Sequence, residues 1–130
     1  MKKNEAKEIR TLLYLDDIRE PGMMTSPVFM GQKEMYEDLG FEVKVVVCKN
    51  VTDAATAVMN ASGTLALASL DHDLGTKADG MDFLKWLLQA IDDKKVKVTS
   101  AFWIYFHTGN APAKMQMDSY YKSWMKAKEL

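Results

Sequence analysis

Three short apolar runs in this chain each end in a group of acidic, imidazole or hydroxyl side chains. Asp16-Asp17 follow Leu12–Leu15, Asp71-His72-Asp73 follow Leu65–Leu70, and His107-Thr108-Gly109-Asn110 follow Ala101–Phe106. Both histidines of the chain belong to these groups. Short apolar runs are typical of buried strands, so the pattern predicts polar groups at the ends of strands.

Helix-like segments alternate with strand-like ones. The predicted strands are Leu12–Leu15, Phe41–Cys48, Leu65–Leu70 and Ala101–Phe106; the predicted helices are Val28–Leu39, Asp53–Asn60 after a Thr52 cap, Met81–Ile91, and a last helix from an Asn110 cap to about Lys126. This alternation favours an α/β fold with a parallel sheet covered by helices on both faces. Right-handed crossovers then predict a flavodoxin-like wound sheet of four strands in the order 2-1-3-4.

The length of 130 residues favours one domain over residues 1–130. Residues 1–10 are rich in charge and are expected to form a flexible arm. The fourth strand lies at an edge in this order, yet its sequence AFWIYF is wholly apolar. It therefore needs a cover, for which the terminal helix, the N-terminal arm or a second copy in a homodimer are the alternatives.

Charge and cysteine content exclude several classes of protein. Seventeen basic and eighteen acidic residues give a net charge of −1, so no global basic field indicates nucleic acid. The single cysteine, Cys48, excludes an internal disulfide and CxxC metal sites, and favours a reducing compartment. The apolar run near the N-terminus is too short for a signal peptide or a membrane span. We expect a soluble cytoplasmic protein.

The polar groups are expected to converge, because ligands of such sheets bind beyond the carboxyl ends of the strands. Carboxylates brought this close cannot all stay ionised without a cation. Hard oxygen ligands without cysteine favour Mg²⁺ or Mn²⁺. The predicted metal ligands are Asp16, Asp17, Asp71 and Asp73. Metal, imidazole and a helix N-terminus together suit phosphoester chemistry.

The predicted catalytic residues are Asp71, His72 and His107, with an imidazole moving the proton. Thr108, Gly109 and Asn110 are predicted to bind phosphate. Arg19 and Lys114 are candidate substrate contacts.

Each group also has a structural interpretation. Asp16-Asp17 can cap a turn, and Asn110 can cap the last helix whatever else it does. A hydrogen bond from His107 to a carboxylate is about as well supported by the sequence as catalysis. His72 alone would be read as a loop histidine, and its position between two aspartates is what favours function.

Four segments together are similar to one known family. They are LYLDDIREP at Leu13–Pro21, SLDHDLG at Ser69–Gly75, DGMDFLKWL at Asp79–Leu87 and HTGNAPAKMQM at His107–Met117. From about residue 12 to 120 the chain resembles the cyclic-phosphate processing receiver-like domain, a derivative of the response-regulator receiver. The resemblance implies action on cyclic phosphates in RNA-end or nucleotide metabolism.

The resemblance also implies roles for individual residues. Asp16 and Asp17 match the acidic metal pair of receivers, and Asp71 matches their phospho-accepting aspartate. A receiver's fifth strand with its lysine has no counterpart here, which disfavours phosphorelay signalling. The leading hypothesis is a metal-dependent phosphoesterase acting on a cyclic nucleotide or a 2′,3′-cyclic RNA end. The alternatives are a non-catalytic nucleotide-binding module and a receiver-like regulatory domain that interacts with a protein partner.

Overall fold

The computed structural model describes residues 7–18 and 27–128, and within them the chain alternates strand and helix throughout. The strands are β1 (Ile9–Leu15), β2 (Glu42–Cys48), β3 (Leu65–Leu70) and β4 (Val98–Phe106), and the helices are α1 (Pro27–Asp38), α2 (Val51–Asn60), α3 (Gly80–Asp92) and α4 (Ala111–Lys128). The strands pair in parallel in the order β2-β1-β3-β4. The predicted flavodoxin-like and receiver-like topology is confirmed.

Both faces of the sheet are covered. One face packs on α2, α3 and α4 through a large apolar cluster that includes Phe83, Leu87 and Met117. The other face packs on α1, where Phe29 and Tyr36 meet Leu12 and Tyr14 of β1. Because β1 and β3 lie between other strands, their residues are almost fully buried, as their apolar sequences predict.

Most boundaries differ from the prediction by one or two residues, and β1 and β4 each begin three residues earlier than predicted. β1 begins at Ile9, so the last two residues of the expected arm are paired in the sheet with Glu42 and Val43; residues 1–6 lie outside the described residues. β4 begins at Val98 rather than Ala101. Helix α2 is capped by Asn50, whose side chain accepts a hydrogen bond from the Asp53 amide, and not by Thr52.

The terminal helix covers part of the free edge of β4. The backbone N–H of Ile104 donates a hydrogen bond to the hydroxyl of Tyr121 on α4, at 3.3 Å. The Tyr121 ring is buried and contacts the rings of Trp103 and Phe106 edge-on. The terminal helix is thus one of the three covers considered above, and pairing with a second copy through β4 stays a prediction.

Candidate functional site

The hydrogen-bond ladder of the sheet continues one residue beyond the strand ends. The Asp16 amide donates to Cys48, the Asp71 amide donates to Leu15, and the His107 amide donates to Leu70. These bonds hold the first residue after β1, β3 and β4 in register, side by side. The convergence of the three polar groups therefore follows from the strand pairing itself.

Asp16, Asp17 and Asp71 form a compact acidic cluster at this edge. Each offers a carboxylate oxygen, and these oxygens all lie within 4.8 Å of one another. Asp16 and Asp71 are buried, with 0% and 5% of their surface exposed. Buried carboxylates this close repel one another unless a positive charge lies between them. Three hard oxygen donors with one charge each fit Mg²⁺ or Mn²⁺.

Hydrogen bonds orient the carboxylates of this cluster. In Asp16, Oδ1 accepts from the Ile18 amide and Oδ2 lies 3.0 Å from Nε2 of His107. In Asp71, Oδ1 accepts from the His72 amide. A carboxylate oxygen has two lone pairs, so these bonds orient the carboxylates without using up their ability to bind a cation.

An open cleft of about 620 Å³ lies over the cluster. Its lining consists of Asp16, Asp17, Ile18, Asp71, Asp73, Gly75, Thr108, Gly109 and Asn110. This volume is within the usual range for small-molecule sites. All seven residues predicted as metal or phosphate ligands therefore border one space.

His107 lies behind the acidic cluster in the protein interior. Its side chain is 2% exposed, and its Nδ1 lies 2.7 Å from the hydroxyl of Ser69 on β3. The imidazole stacks on the ring of Tyr14, with centroids 4.3 Å apart and planes 3° from parallel. It is not among the described residues that line the cleft.

His72 points toward the start of α3. Its Nδ1 lies 2.8 Å from Asp73 and its Nε2 lies 3.3 Å from Asp79, the N-cap residue of α3. Its side chain is 19% exposed, and it too is absent from the described lining of the cleft. The hydrogen bond from His72 holds the pKa of Asp73 below its ordinary value.

Asp73 lies at the rim of the cleft, outside the acidic cluster. Its carboxylate is 65% exposed and contacts His72 and, at 3.5 Å, the side-chain amide of Asn110. Of the four aspartates predicted to bind the metal, the structure therefore brings together three: Asp16, Asp17 and Asp71.

The β4–α4 connection forms the opposite wall of the cleft. The Thr108 hydroxyl accepts a hydrogen bond from the Asn110 amide, and the Asn110 side chain caps α4 by accepting from the Ala113 amide. The predicted capping role of Asn110 is confirmed. Lys114 lies with its ammonium 5.7 Å from the centre of the Tyr105 ring and does not line the cleft. Arg19 lies outside the described residues.

Two glycines shape the β3–α3 connection. Gly80 packs so closely that a Cβ there would overlap the carbonyl oxygen of Asp71. Gly75 has a φ of +66°, and a Cβ there would lie 3.1 Å from Oδ2 of Asp17. Both glycines therefore allow backbone to approach the acidic cluster.

Sequence reasoning missed Ser69 and Tyr14 as neighbours of the site. Ser69 carried a signal, since it is the one hydroxyl in the apolar run Leu65–Leu70. A buried hydroxyl requires a hydrogen-bond partner. Tyr14 had no comparable signal, because a tyrosine in a buried strand is ordinary core.

A family model supports the assignment. The model described as the cyclic-phosphate processing receiver domain matches residues 11–123, which include every group of the site. No curated protein and no solved structure matches the chain in the same comparisons. No helix among the described residues has the length and hydrophobicity of a membrane span.

Proposed function

Because the chain belongs to the cyclic-phosphate processing receiver domain family, we propose that it is a metal-dependent phosphoesterase that opens a cyclic phosphate. The substrate class is a cyclic nucleotide or an RNA strand with a 2′,3′-cyclic phosphate end. The observation that carries the proposal is the cluster of Asp16, Asp17 and Asp71 at the floor of a cleft.

Asp16, Asp17 and Asp71 are the proposed holders of Mg²⁺ or Mn²⁺. Such an ion polarises a phosphoryl oxygen or lowers the pKa of a bound water. The chain's own contribution is to hold three carboxylates in fixed positions, two of them buried. Burial strengthens their attraction for a cation because little water screens it.

Residues of the β4–α4 connection are placed to bind the phosphate. The Thr108 hydroxyl accepts from the Asn110 amide, so its own hydrogen is available to donate to a phosphate oxygen. Gly109 is exposed at the same wall, with no side chain to block a phosphate. The amides at the start of α4 add the favourable field of a helix N-terminus.

The reaction consists of attack on phosphorus by water and cleavage of one phosphorus–oxygen bond of the ring. The ring oxygen leaves with a proton and the product is a phosphomonoester. Of the two imidazoles, His72 is the more accessible, since its side chain is 19% exposed and that of His107 is 2% exposed. We assign this proton transfer to His72, whose Nε2 makes only a long contact of 3.3 Å with Asp79.

The alternative route is covalent, with Asp71 as the nucleophile. The Asp71 carboxylate oxygen would bond to phosphorus and one ring oxygen would leave as a hydroxyl, while the second ester bond keeps the opened nucleotide or RNA attached to phosphorus. Water would then hydrolyse the bond between Asp71 and phosphorus and release the phosphomonoester. Protein denatured during turnover that carries the opened nucleotide on Asp71 through a bond cleaved by hydroxylamine, detected by mass spectrometry, supports the covalent route. Its absence during turnover supports direct attack by water.

The test is turnover of cyclic nucleotides and cyclic-ended oligonucleotides with Mg²⁺ or Mn²⁺, followed by ³¹P NMR. We expect Asp71→Asn to lower the rate at least 100-fold, as is typical when a group that stabilises developing charge is removed. Asp118→Asn is the matched control, because Asp118 lies on α4 and pairs only at 3.5 Å with Lys122. Equal rates for wild type and Asp71→Asn, or no turnover of any substrate, contradict the proposal.

Non-catalytic binding is the second candidate function. It is favoured by one observation, that neither imidazole is among the described residues lining the cleft. Calorimetric binding of a cyclic nucleotide that yields no product over many hours would select this function over hydrolysis.

A further inference from the structure

Ser69 and His107 form a buried chain of contacts that ends at the acidic cluster. The Ser69 hydroxyl lies 2.7 Å from Nδ1 of His107, and Nε2 of His107 lies 3.0 Å from Oδ2 of Asp16. Ser69 is 0% exposed, and the side chains of His107 and Asp16 are 2% and 1% exposed. Water therefore does not compete for these bonds.

The chemistry of Ser69, His107 and Asp16 determines which atom donates the hydrogen bond at Asp16. As a metal ligand, Asp16 is ionised and only accepts hydrogen bonds, so in that state Nε2 of His107 carries a hydrogen and donates it. Nδ1 accepts from the Ser69 hydroxyl when the ring is neutral and donates to it when the ring is charged. A hydroxyl is suited to this position because it can donate to the neutral ring and accept from the charged ring.

The ring is held on its faces as well as its edges. It stacks on Tyr14, which in turn packs edge-on against Phe29 of α1 at 5.2 Å. Rotation of the imidazole about its Cβ–Cγ bond would break both nitrogen contacts and the stack. Through these contacts, the position of Oδ2 of Asp16 depends on residues of β3 and α1.

We propose that Ser69 is a positioning residue that acts through His107 to orient the Asp16 carboxylate toward the cation site. The assignment rests on the proposed function, since it needs Asp16 to be a metal ligand. Groups that orient a metal ligand from behind typically change metal affinity by about 10- to 100-fold when they are removed. Ser69 is therefore expected to affect metal affinity in addition to any effect that it has on stability.

The experiment measures the affinity of the full chain for Mn²⁺ by electron paramagnetic resonance. Ser69→Ala is expected to weaken Mn²⁺ binding about tenfold, and Ser69→Thr, which keeps the hydroxyl, to remain within about threefold of wild type. Thr11→Val is the matched control, because Thr11 is a buried hydroxyl residue of β1, far from the strand end that carries Asp16, and makes a part-buried 2.9 Å hydrogen bond to Thr64. It is expected to lower the unfolding midpoint as much as Ser69→Ala while leaving Mn²⁺ affinity unchanged.

Equal Mn²⁺ affinities for wild type and Ser69→Ala overturn the role of Ser69 and leave the proposed function standing. Absence of Mn²⁺ binding by the wild type overturns the metal site of the proposed function, and this assignment with it.

A second readout is made on the wild-type protein and uses a variant only to assign the signals. The chain has two histidines, so ¹⁵N–¹H NMR of the wild-type rings, assigned with His72→Gln, reports the protonated nitrogen of His107. A hydrogen on Nε2 is expected. A neutral His107 ring protonated on Nδ1 would overturn the assignment.

Discussion

Gly80 shows how one residue without a side chain determines the position of a functional group. Its amide donates to the His72 carbonyl at 2.8 Å, so the start of α3 lies directly against the segment that follows β3. This segment carries Asp71, and its backbone has no room to move aside. The close approach links the N-terminus of a helix to the geometry of the acidic cluster.

Gly80→Ala is expected to destabilise the protein by about 2 kcal/mol, the usual cost of forcing extra atoms into a packed region. Its Cβ would overlap the Asp71 carbonyl oxygen and lie 2.9 Å from the His72 Cα. Gly31→Ala is the control, because Gly31 lies within α1 with nothing within 4 Å of an added Cβ. In urea unfolding, Gly31→Ala is expected to raise the free energy of unfolding by up to about 1 kcal/mol. An unchanged free energy of unfolding in Gly80→Ala would contradict the packing argument.

Gly75→Ala is expected to weaken Mn²⁺ binding several-fold. The new Cβ would meet Oδ2 of Asp17 at 3.1 Å and displace it by a few tenths of an ångström. Gly63→Ala imposes a similar backbone strain, since both glycines have positive φ, but has nothing within 4 Å of its Cβ. Calorimetric Mn²⁺ titrations should separate the two variants. The same affinity in both would mean that Asp17 does not bind the ion.

At the scale of secondary-structure elements, α4 performs two tasks at its two ends. Asn110, which caps its first turn, lines the cleft. Farther along, Tyr121 covers the edge of β4, and Trp124 and Lys128 contact Asp92 at the end of α3. The helix is thereby anchored to the sheet and to its neighbouring helix, which holds its N-terminus at the site.

Tyr121→Phe is expected to cost about 1–2 kcal/mol, because it leaves the Ile104 N–H buried without its hydroxyl acceptor. Tyr120→Phe is the control, since Tyr120 is adjacent in the chain and 41% exposed. Urea unfolding measures both, and hydrogen exchange of the Ile104 amide should accelerate only in Tyr121→Phe. Unchanged exchange at Ile104 would argue against the edge contact.

The contact between Asp92 and Lys128 makes stability depend on pH. The hydrogen bond from Lys128, at 2.6 Å, lowers the pKa of Asp92 below its ordinary value of 3.8. A lowered pKa in the folded state stabilises the protein above that ordinary value, and the contribution is lost as the pH falls through the folded-state pKa.

Asp92→Asn should therefore cost up to about 1 kcal/mol at pH 7, and the difference from wild type should shrink below about pH 4. Lys128→Gln should give the same loss at pH 7, and the double variant little more. These values come from urea unfolding across the pH range. A loss that is constant from pH 7 to pH 3 would mean that the ion pair does not contribute.

At the scale of the whole molecule, the acidic cluster joins residues more than fifty positions apart in the chain. Asp16 and Asp17 follow β1, whereas Asp71 follows β3. Without a cation, mutual repulsion of these carboxylates opposes the pairing of the two strand ends. With one, the ion favours the folded chain over the unfolded chain, in which no such site exists.

Mn²⁺ is accordingly expected to stabilise the protein, by about 2.7 kcal/mol at a free concentration one hundred times its dissociation constant. Thermal unfolding with and without a chelator measures the effect. The gain should vanish in Asp71→Asn and persist in Asp118→Asn. Stabilisation of equal size in Asp71→Asn would place the ion elsewhere on the protein.

Much of the fold could be predicted because the ends of the apolar runs are sharp. β3 and β4 end at Leu70 and Phe106, where the sequence changes to polar residues, and the strand order followed from crossover handedness. The beginnings were harder, since Ile9-Arg10 and Val98–Ser100 are partly exposed and their sequences lack a continuous apolar pattern. At α2, Asn50 and Thr52 are both good caps, and the sequence alone does not choose between them.

The site was predictable as a set of residues but not as a set of contacts. Strand pairing brings Asp16, Asp71 and His107 together whatever their neighbours are. The direction of each imidazole depends on other partners: Ser69 and Asp16 hold His107 in the interior, while Asp73 and Asp79 turn His72 toward α3. Such choices depend on the three-dimensional surroundings of the ring.

The contact by which Tyr121 covers the free edge of β4 affects the tendency of this protein to aggregate. An uncovered apolar border of a sheet is a template on which foreign segments can add and grow. A chain cut by a protease early in α4 would keep most of its sheet but would expose the AFWIYF segment of the edge strand β4. Such a fragment would be expected to polymerise, so the last helix, whose cap Asn110 lines the cleft, also protects against aggregation.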